Sequence, residues 1–258
     1  MDLDYLPPKP QRLDHGIGCV GAGFIMRDCH LVAYRSAGYR VVAIAATPES
    51  RPQAEEVARL REIPRVYDNV EQLLADPEIE ILDVAVPPHA QADVIRRATS
   101  APRRPRGLLA QKPLGMNYAE ARDTVERCEA AGVTLAVNQN MRFDQSVRAL
   151  RSLFERGDLG EPVLATIEMR AIPHWMPWQR DYGWLTLRVM SIHHLDCFRF
   201  WFGDPTRIFC SVRTDPRTAF PHTDGICLYI LEYDSGLRCS AWDDVWTGPA
   251  REGAAGDI

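Results

Sequence analysis

The chain begins with polar, proline-bearing residues 1–14, which predict an irregular arm, and then settles into short apolar runs alternating with segments of helical period. Residues 17–20 read as a buried strand broken by Gly21-Ala22-Gly23. Phe24, Ile25, Cys29, Val32 and Ala33 then recur at helical spacing up to Gly38, which predicts a helix. The same alternation continues. Residues 39–45 predict a second strand, and Ser50 with Gln53 predicts a capping box opening a helix to about Arg61. Strands follow at Val66-Tyr67, 79–86, 107–110 and 133–137, with helices near 70–75, 89–99 and from the Asn117/Glu120 cap to Gly132; that last helix has Ala121, Val125 and Cys128 on its apolar face. Six short apolar strands alternating with helices specify a doubly wound parallel sheet of the α/β Rossmann class, since parallel neighbours need helical crossovers.

Beyond about residue 140 the pattern changes. A helix over 145–156 ends at Gly157, a strand is predicted at 162–171, and a Pro- and Trp-rich loop, HWMPWQRDYGW, precedes a strongly apolar helix at 191–202. Three further strands are predicted at 207–214, 226–233 and 237–243, the last two joined as a hairpin by Asp234-Ser235-Gly236. The expected organisation is residues 1–140 as a dinucleotide-binding domain and 141–258 as an α+β domain on a largely antiparallel sheet, apparently shortened at its C-terminus. This second domain is expected to serve the substrate and oligomerisation.

Composition narrows the function classes. The chain of 258 residues is 46% hydrophobic and 25% charged, the balance of a globular protein. No apolar run approaches a membrane span and no signal pattern opens the chain, so a cytoplasmic enzyme or binding protein is expected, without membrane partners. A net charge of -5 offers no basic footprint for nucleic acid. Seven scattered cysteines without a CxxC pair read as small buried apolar residues, with no metal site implied. Of the 30 cationic residues only Lys9 and Lys112 are lysine. Because Lys can lower its pKa and Arg effectively cannot, Lys112 stands out as a candidate for chemistry.

The glycine turn supplies a second candidate. Gly21 permits the sharp turn and Gly23 a close approach of backbone to phosphates at a helix N-terminus. The third glycine of the dinucleotide fingerprint falls at Met26, so the motif is incomplete. Ligands bind beyond the carboxyl ends of the strands in open α/β sheets. The segments that follow the strands here are GAGF, ATPES, VPPH, QKP and NQNMR, which gather Lys112, Asn138, Gln139, Asn140 and Arg142 on one rim beside the glycine turn.

GCVGAGFIM, AQKP, NQNMRFD and SIHHLDCFRFWFG together resemble the motifs of the Gfo/Idh/MocA oxidoreductases, the glucose-fructose oxidoreductase and inositol dehydrogenase family, in the right order over nearly the whole chain. The resemblance implies a Rossmann domain followed by an α/β sheet domain, NAD or NADP as hydride carrier, and sugars, polyols or related hydroxy compounds as substrates. It also implies association through the open sheet. Three departures stand out. The family's Glu-Lys-Pro is Gln111-Lys112-Pro113. An Asp common four residues before the motif histidine is Val189 if that histidine is His193, or Met190 if it is His194. The chain also stops before the further sheet strands that members usually carry, as either a natural short form or an incomplete sequence.

On these grounds Lys112 and His193 are the expected catalytic residues. Expected cofactor contacts are Gly21, Gly23, Phe24, Ile25, Thr47, Ser50, Arg51, Pro87, His89, Gln111, Lys112 and Asn140. Expected substrate contacts are Arg142, Trp178, His194 and Asp196, with Asp196 also placed to orient His193 and with His174, Trp175 and Trp184 as further walls of a sugar site. One of the adjacent histidines is expected to be a packing residue, since neighbours on a helix do not share a face. No acid closes the second strand at Ala46, and Thr47, Ser50 and Arg51 follow it, so NADP should at least be tolerated. The expected function is an NAD(P)-dependent dehydrogenase or reductase of a small hydroxy compound, acting as a homo-oligomer. The alternative is a non-catalytic dinucleotide-binding sensor or pseudo-enzyme.

Overall fold

The computed structural model describes residues 3–170 and 176–244. Six strands pair in parallel in the order β3-β2-β1-β4-β5-β6: β1 (Gly16–Val20), β2 (Arg40–Ala45), β3 (Arg65–Tyr67), β4 (Ile81–Val84), β5 (Gly107–Gln111) and β6 (Thr134–Asn138). Their crossovers are α1 (Leu31–Ala37), α2 (Arg51–Arg61), α3 (Val70–Ala75), α4 (Pro88–Ser100) and α5 (Tyr118–Ala131). Strand order reverses between β1 and β4, the switch point at which doubly wound sheets open a crevice. The faces of the sheet are filled by two cores, one around Leu73, Leu82, Ile95 and Leu108, the other around Cys19, Met26, Ile44 and Val57. The arm, over residues 3–14, has no helix or strand.

Three local expectations need correcting. After the glycine turn, residues Ile25–His30 wind as a π-helix before α1 begins. Phe24, Ile25, Cys29, Val32 and Ala33 lie outside, while Met26, His30 and Leu31 are buried. In the wider i→i+5 winding, positions four and five residues after Met26 straddle one face, so adjacent His30 and Leu31 both turn inward. Ser50 does not cap α2 with its side chain. Thr47 stands extended at φ -68°, ψ 160° and Pro48–Ser50 already coil as a 3-10 turn, so Ser50 lacks the extended backbone of a capping residue. In α5 the buried positions are Thr124 and Cys128, with Val125 exposed. Its caps do form: Asn117 accepts from the Glu120 N–H at 3.0 Å, Glu120 accepts from the Met116 N–H at 2.8 Å, and Gly132 closes the helix at φ 68°.

The chain divides into two compact units: Lys9–Asn138, which holds this sheet, and the residues up to Pro8 together with those from Gln139 on. The second unit holds a 3-10 turn (Asn140–Phe143), α6 (Gln145–Glu155), β7 (Leu164–Arg170), α7 (Ile192–Phe202), β8 (Arg207–Arg213), β9 (Ile226–Glu232) and β10 (Arg238–Asp244). Its sheet runs β7-β10-β9-β8. The β9–β10 hairpin, turning at Gly236 with φ 93°, and the β8–β9 pair are antiparallel, while β7 joins β10 in parallel. One sheet face, with Tyr229, Leu231, Cys239 and Ala241, packs on Phe198, Leu195, Trp201 and Phe202 of α7. On the other, register aligns Phe209, Ile230, Ser240 and Thr166 in one row and Ser211, Leu228, Trp242 and Glu168 in the next. Phe209, Leu228 and Ile230 on that face are exposed at 67%, 50% and 44%.

Candidate active site

The two glycines after β1 answer different needs. Gly21 sits at φ 99°, and a Cβ there would lie 2.4 Å from the Ala85 carbonyl oxygen, so only glycine lets the exits of β1 and β4 pass. A Cβ on Gly23 would meet nothing within 4 Å. This open ground ahead of a helix N-terminus, whose first N–H groups have no intrahelical acceptors, fits a pyrophosphate. Met26 replaces the third glycine as a fully buried core residue in the cluster of Cys19 and Ile44. Past β4, Pro87 precedes α4 and His89 is exposed in its first turn. Beyond β2, Glu49 is bonded by the Thr47 hydroxyl, and the Arg51 guanidinium is held by Asp68 and by Glu55 at 2.8 Å. Thr47 and Arg51 are thus already engaged with carboxylates.

Lys112 follows β5 directly, and its bond to Pro113 is cis. The side chain is half-buried, and burial pushes its pKa down to about 8. Fully buried Gln91 of α4 staples this loop: its Nε2 donates to the carbonyls of Gln111 at 2.7 Å and Pro113 at 3.0 Å, and its Oε1 accepts from the Gln111 N–H at 2.8 Å. The Gln111 side chain continues the arrangement. Its Oε1 accepts from the Lys112 N–H at 2.9 Å, and its Nε2 lies 3.0 Å from His30 Nε2. Asn138, at the end of β6, places its Nδ2 2.9 Å from the same nitrogen. The other ring nitrogen of His30 is 2.7 Å from Asp83 Oδ2, which also accepts from the Tyr34 hydroxyl at 2.7 Å.

In the second unit, Asn140 is exposed and Gln139 Nε2 donates to the Ile192 carbonyl at 3.2 Å. Arg142 forks onto both carboxylate oxygens of Asp196 and lies 5.3 Å from the centre of the Phe200 ring. Both oxygens of Asp196 serve Arg142, an Arg–carboxylate fork that ties the 3-10 turn to α7. His193 and His194 are both buried in the first turn of α7. His194 Nδ1 lies 2.7 Å from Asp243 Oδ1, while Ser191 and Tyr229 donate to Asp243 Oδ2. His194 is thus tied to β10 through Asp243. Trp178 is half-buried, edge-on to Tyr182 at 5.3 Å, and Trp184 is exposed; His174 and Trp175 lie outside the described residues. Two cysteines, Cys29 and Cys210, are exposed rather than buried.

In the first unit, Gln111, Lys112 and, through His30, Asn138 are linked by hydrogen bonds at the sheet's carboxyl edge, while Asn140, Arg142, Trp178, His193 and His194 belong to the other unit. Sequence reasoning missed His30, Tyr34, Asp83 and Gln91. The readable signal was Asp83, an acid in the middle of the apolar strand ILDV.

A doubly wound sheet with a glycine turn at its switch point and a half-buried lysine on the same edge points to the class of dinucleotide-binding oxidoreductases. Residues 15–139 match the model of the oxidoreductase family with an NAD-binding Rossmann fold, and residues 147–253 match the GFO/IDH/MocA C-terminal domain. The chain belongs to the Gfo/Idh/MocA oxidoreductase family. It is 32% identical over 232 residues to trans-1,2-dihydrobenzene-1,2-diol dehydrogenase of Mus musculus, covering 86% of this chain and 66% of that protein. It is 27% identical over 224 residues to D-apiose dehydrogenase of Paraburkholderia graminis, covering 84% and 57%. The fold resembles that of an oxidoreductase from Agrobacterium radiobacter solved in complex with NAD+, L-tartaric acid and magnesium, with TM-score 0.80, 21% identity and coverage of 91% and 67%. The chain thus spans 57% to 66% of the length of these two curated relatives.

His194→Ala would leave the Asp243 carboxylate buried without its imidazole partner. The expected cost is about 3 kcal/mol of stability, the scale for breaking a buried polar pair. Urea unfolding followed by tryptophan fluorescence measures it, and a change below about 0.5 kcal/mol would refute a packing role.

Proposed function

We propose that the protein is an NAD(P)-dependent dehydrogenase or reductase of a sugar, polyol or related hydroxy compound. The observation that carries this reading is Lys112, half-buried at the end of β5 in the same unit as the glycine turn, with its N–H held by the Gln111 side chain and the neighbouring carbonyls of Gln111 and Pro113 held by Gln91. The names of the relatives, dehydrogenases of D-apiose and of a dihydrodiol, support a substrate bearing vicinal hydroxyls. When bound, the nicotinamide accepts or returns the hydride. The chain's own task is the proton: an alcohol oxygen must lose one as its carbon loses hydride, so a base must lie within hydrogen-bond reach. Lys112 in its neutral form takes that proton, and its ammonium form returns it in the reverse direction. His193 is the proposed second acid–base group, with Arg142, Trp178 and Asp196 as elements of the substrate side. Met26 and Gln111, which depart from the dinucleotide fingerprint and from Glu-Lys-Pro, have structural partners of their own.

Three finer readings belong to this proposal. NADP is tolerated, because no acid closes β2, although Arg51 must be shared with Asp68 and Glu55. The open face of the second-unit sheet, with Phe209, Leu228 and Ile230, is a contact between copies of the chain, since exposed apolar patches mark association surfaces. Seven free cysteines favour a reducing, cytoplasmic setting.

Lys112→Ala is expected to lower kcat by about 100-fold or more on the best substrate found, with NADH binding by fluorescence titration preserved. In the unaltered enzyme, oxidation should rise as pH passes through about 8, where the amine loses its proton, and reduction should fall over the same range. Near-normal kcat in Lys112→Ala would refute the assignment, and NADH binding without turnover on any sugar, polyol or hydroxy acid would favour the sensor.

Arg51→Ala is expected to lower kcat/KM for NADPH about 10-fold while leaving NADH unchanged, the scale of one lost charge-assisted bond. A strong NADH preference that this substitution does not alter would count against NADP use. Light scattering at micromolar concentration is expected to give a dimer or larger assembly, and a monodisperse monomer would exclude the sheet contact.

A further inference from the structure

Of the residues around the Rossmann edge, His30 is the one whose role the proposed chemistry leaves open. It sits in the π-helical turn between the glycine loop and α1, 9% exposed, and touches three strands through its two nitrogens. The direction of each hydrogen bond follows from the fixed donors. The Lys112 backbone N–H can only donate, so the Gln111 oxygen must face it and the Gln111 NH2 must face His30 Nε2. A nitrogen that receives this NH2 is an acceptor, and Asn138 Nδ2 lies 2.9 Å from it. The ring proton is therefore on Nδ1, where Asp83 Oδ2 accepts it. The titratable groups beside Asp83 are Tyr34 and Cys19, both pushed up by burial and so neutral. Asp83, with no exposed surface, is the acceptor that fixes the tautomer.

A purely structural pairing would require only Nδ1, Tyr34 and Asp83. The other nitrogen is spent on the ends of β5 and β6, on the amide that grips the Lys112 main chain. We propose that His30 is a positioning residue for Lys112, acting through the Gln111 side chain, with Asp83 locking the ring in the accepting tautomer. This rests on the reading of Lys112 as the reacting amine. It also accounts for glutamine at position 111, since a carboxylate there would meet the lone pair of Nε2 instead of donating to it.

The test uses the chain's two lysines, Lys9 and Lys112. Protein labelled with 13C at the lysine ε carbons gives two side-chain signals, and Lys112→Arg identifies one of them, so the Lys112 titration can be read without turnover. His30→Leu removes the acceptor. The Lys112 pKa is expected to move about one unit upward toward the ordinary lysine value as the loop loosens. The pH limb of kcat/KM should move with it, and kcat should fall about 10-fold with the NADH dissociation constant within twofold. His30→Gln, which again offers an oxygen to Gln111 and Asn138, should restore most of both. If His30→Leu does not fold, Gln111→Met cuts the same link from its other end and carries the same expectation. A folded His30→Leu or Gln111→Met protein with an unmoved Lys112 signal and normal kcat overturns the proposal, even if Lys112→Ala is inactive. A moved signal in a protein without turnover on any hydroxy substrate upholds the positioning and refutes the dehydrogenase reading.

Discussion

A carboxylate without solvent exposure in the middle of a parallel sheet is the constraint from which the first unit's site follows. Desolvating Asp83 is expensive unless hydrogen bonds replace water, and β4 offers it none from neighbouring strands, whose N–H groups are committed to the ladder. The replacements come from the segment after the glycine turn: His30 in the π-turn and Tyr34 in α1. To deliver an imidazole there, the helix must turn a polar residue inward where an apolar one is usual, and the π winding lets it do so while Leu31 still enters the core. The ring then has a second nitrogen to satisfy, and the ends of β5 and β6 supply the donors. One buried carboxyl group thereby ties the glycine turn, the switch-point strand and the lysine loop into a single hydrogen-bonded set.

The second unit repeats the device with other residues. Asp243 of β10, also without exposure, gathers Ser191, His194 and Tyr229, so the start of α7 is fastened to the sheet by a carboxylate as well as by apolar contact. Asp224 accepts the N–H groups of Leu185 and Leu187 at 2.7 and 2.8 Å, supplying from a distant loop the acceptors that the start of a helix lacks. His193 is carried on a helix whose first turns are pinned at two points.

Much of this was legible in the residues. Strand positions followed from apolar runs and the turn glycines, because both are local and their physics is one of period and backbone freedom. The caps of α5 were readable for the same reason, as Asn117 and Glu120 act within one turn. What failed was the facing of the first helix. A period count places Phe24, Ile25 and Val32 inside, and it could not weigh a partner 53 residues away in sequence that made His30 the better inward residue. Ser50 failed because the preceding Pro48 starts the coil early. Candidate residues on the sheet edge follow from topology, whereas the ones that hold them, Gln91 and Asp83 above all, are identifiable only once the strands are adjacent.

The outermost strand of the second sheet carries a different consequence. Along β8, Ile208, Phe209 and Cys210 are exposed on both faces, and beyond β8 this sheet has no further partner among the described residues. A strand in that condition is a template for another chain's backbone, and its apolar side chains would reward the pairing. Arg207 and Arg213 stand at its two ends, and a second copy of β8 laid antiparallel in register would bring these like charges opposite one another. The edge is therefore guarded against pairing with itself in that register while staying open to a strand of different charge.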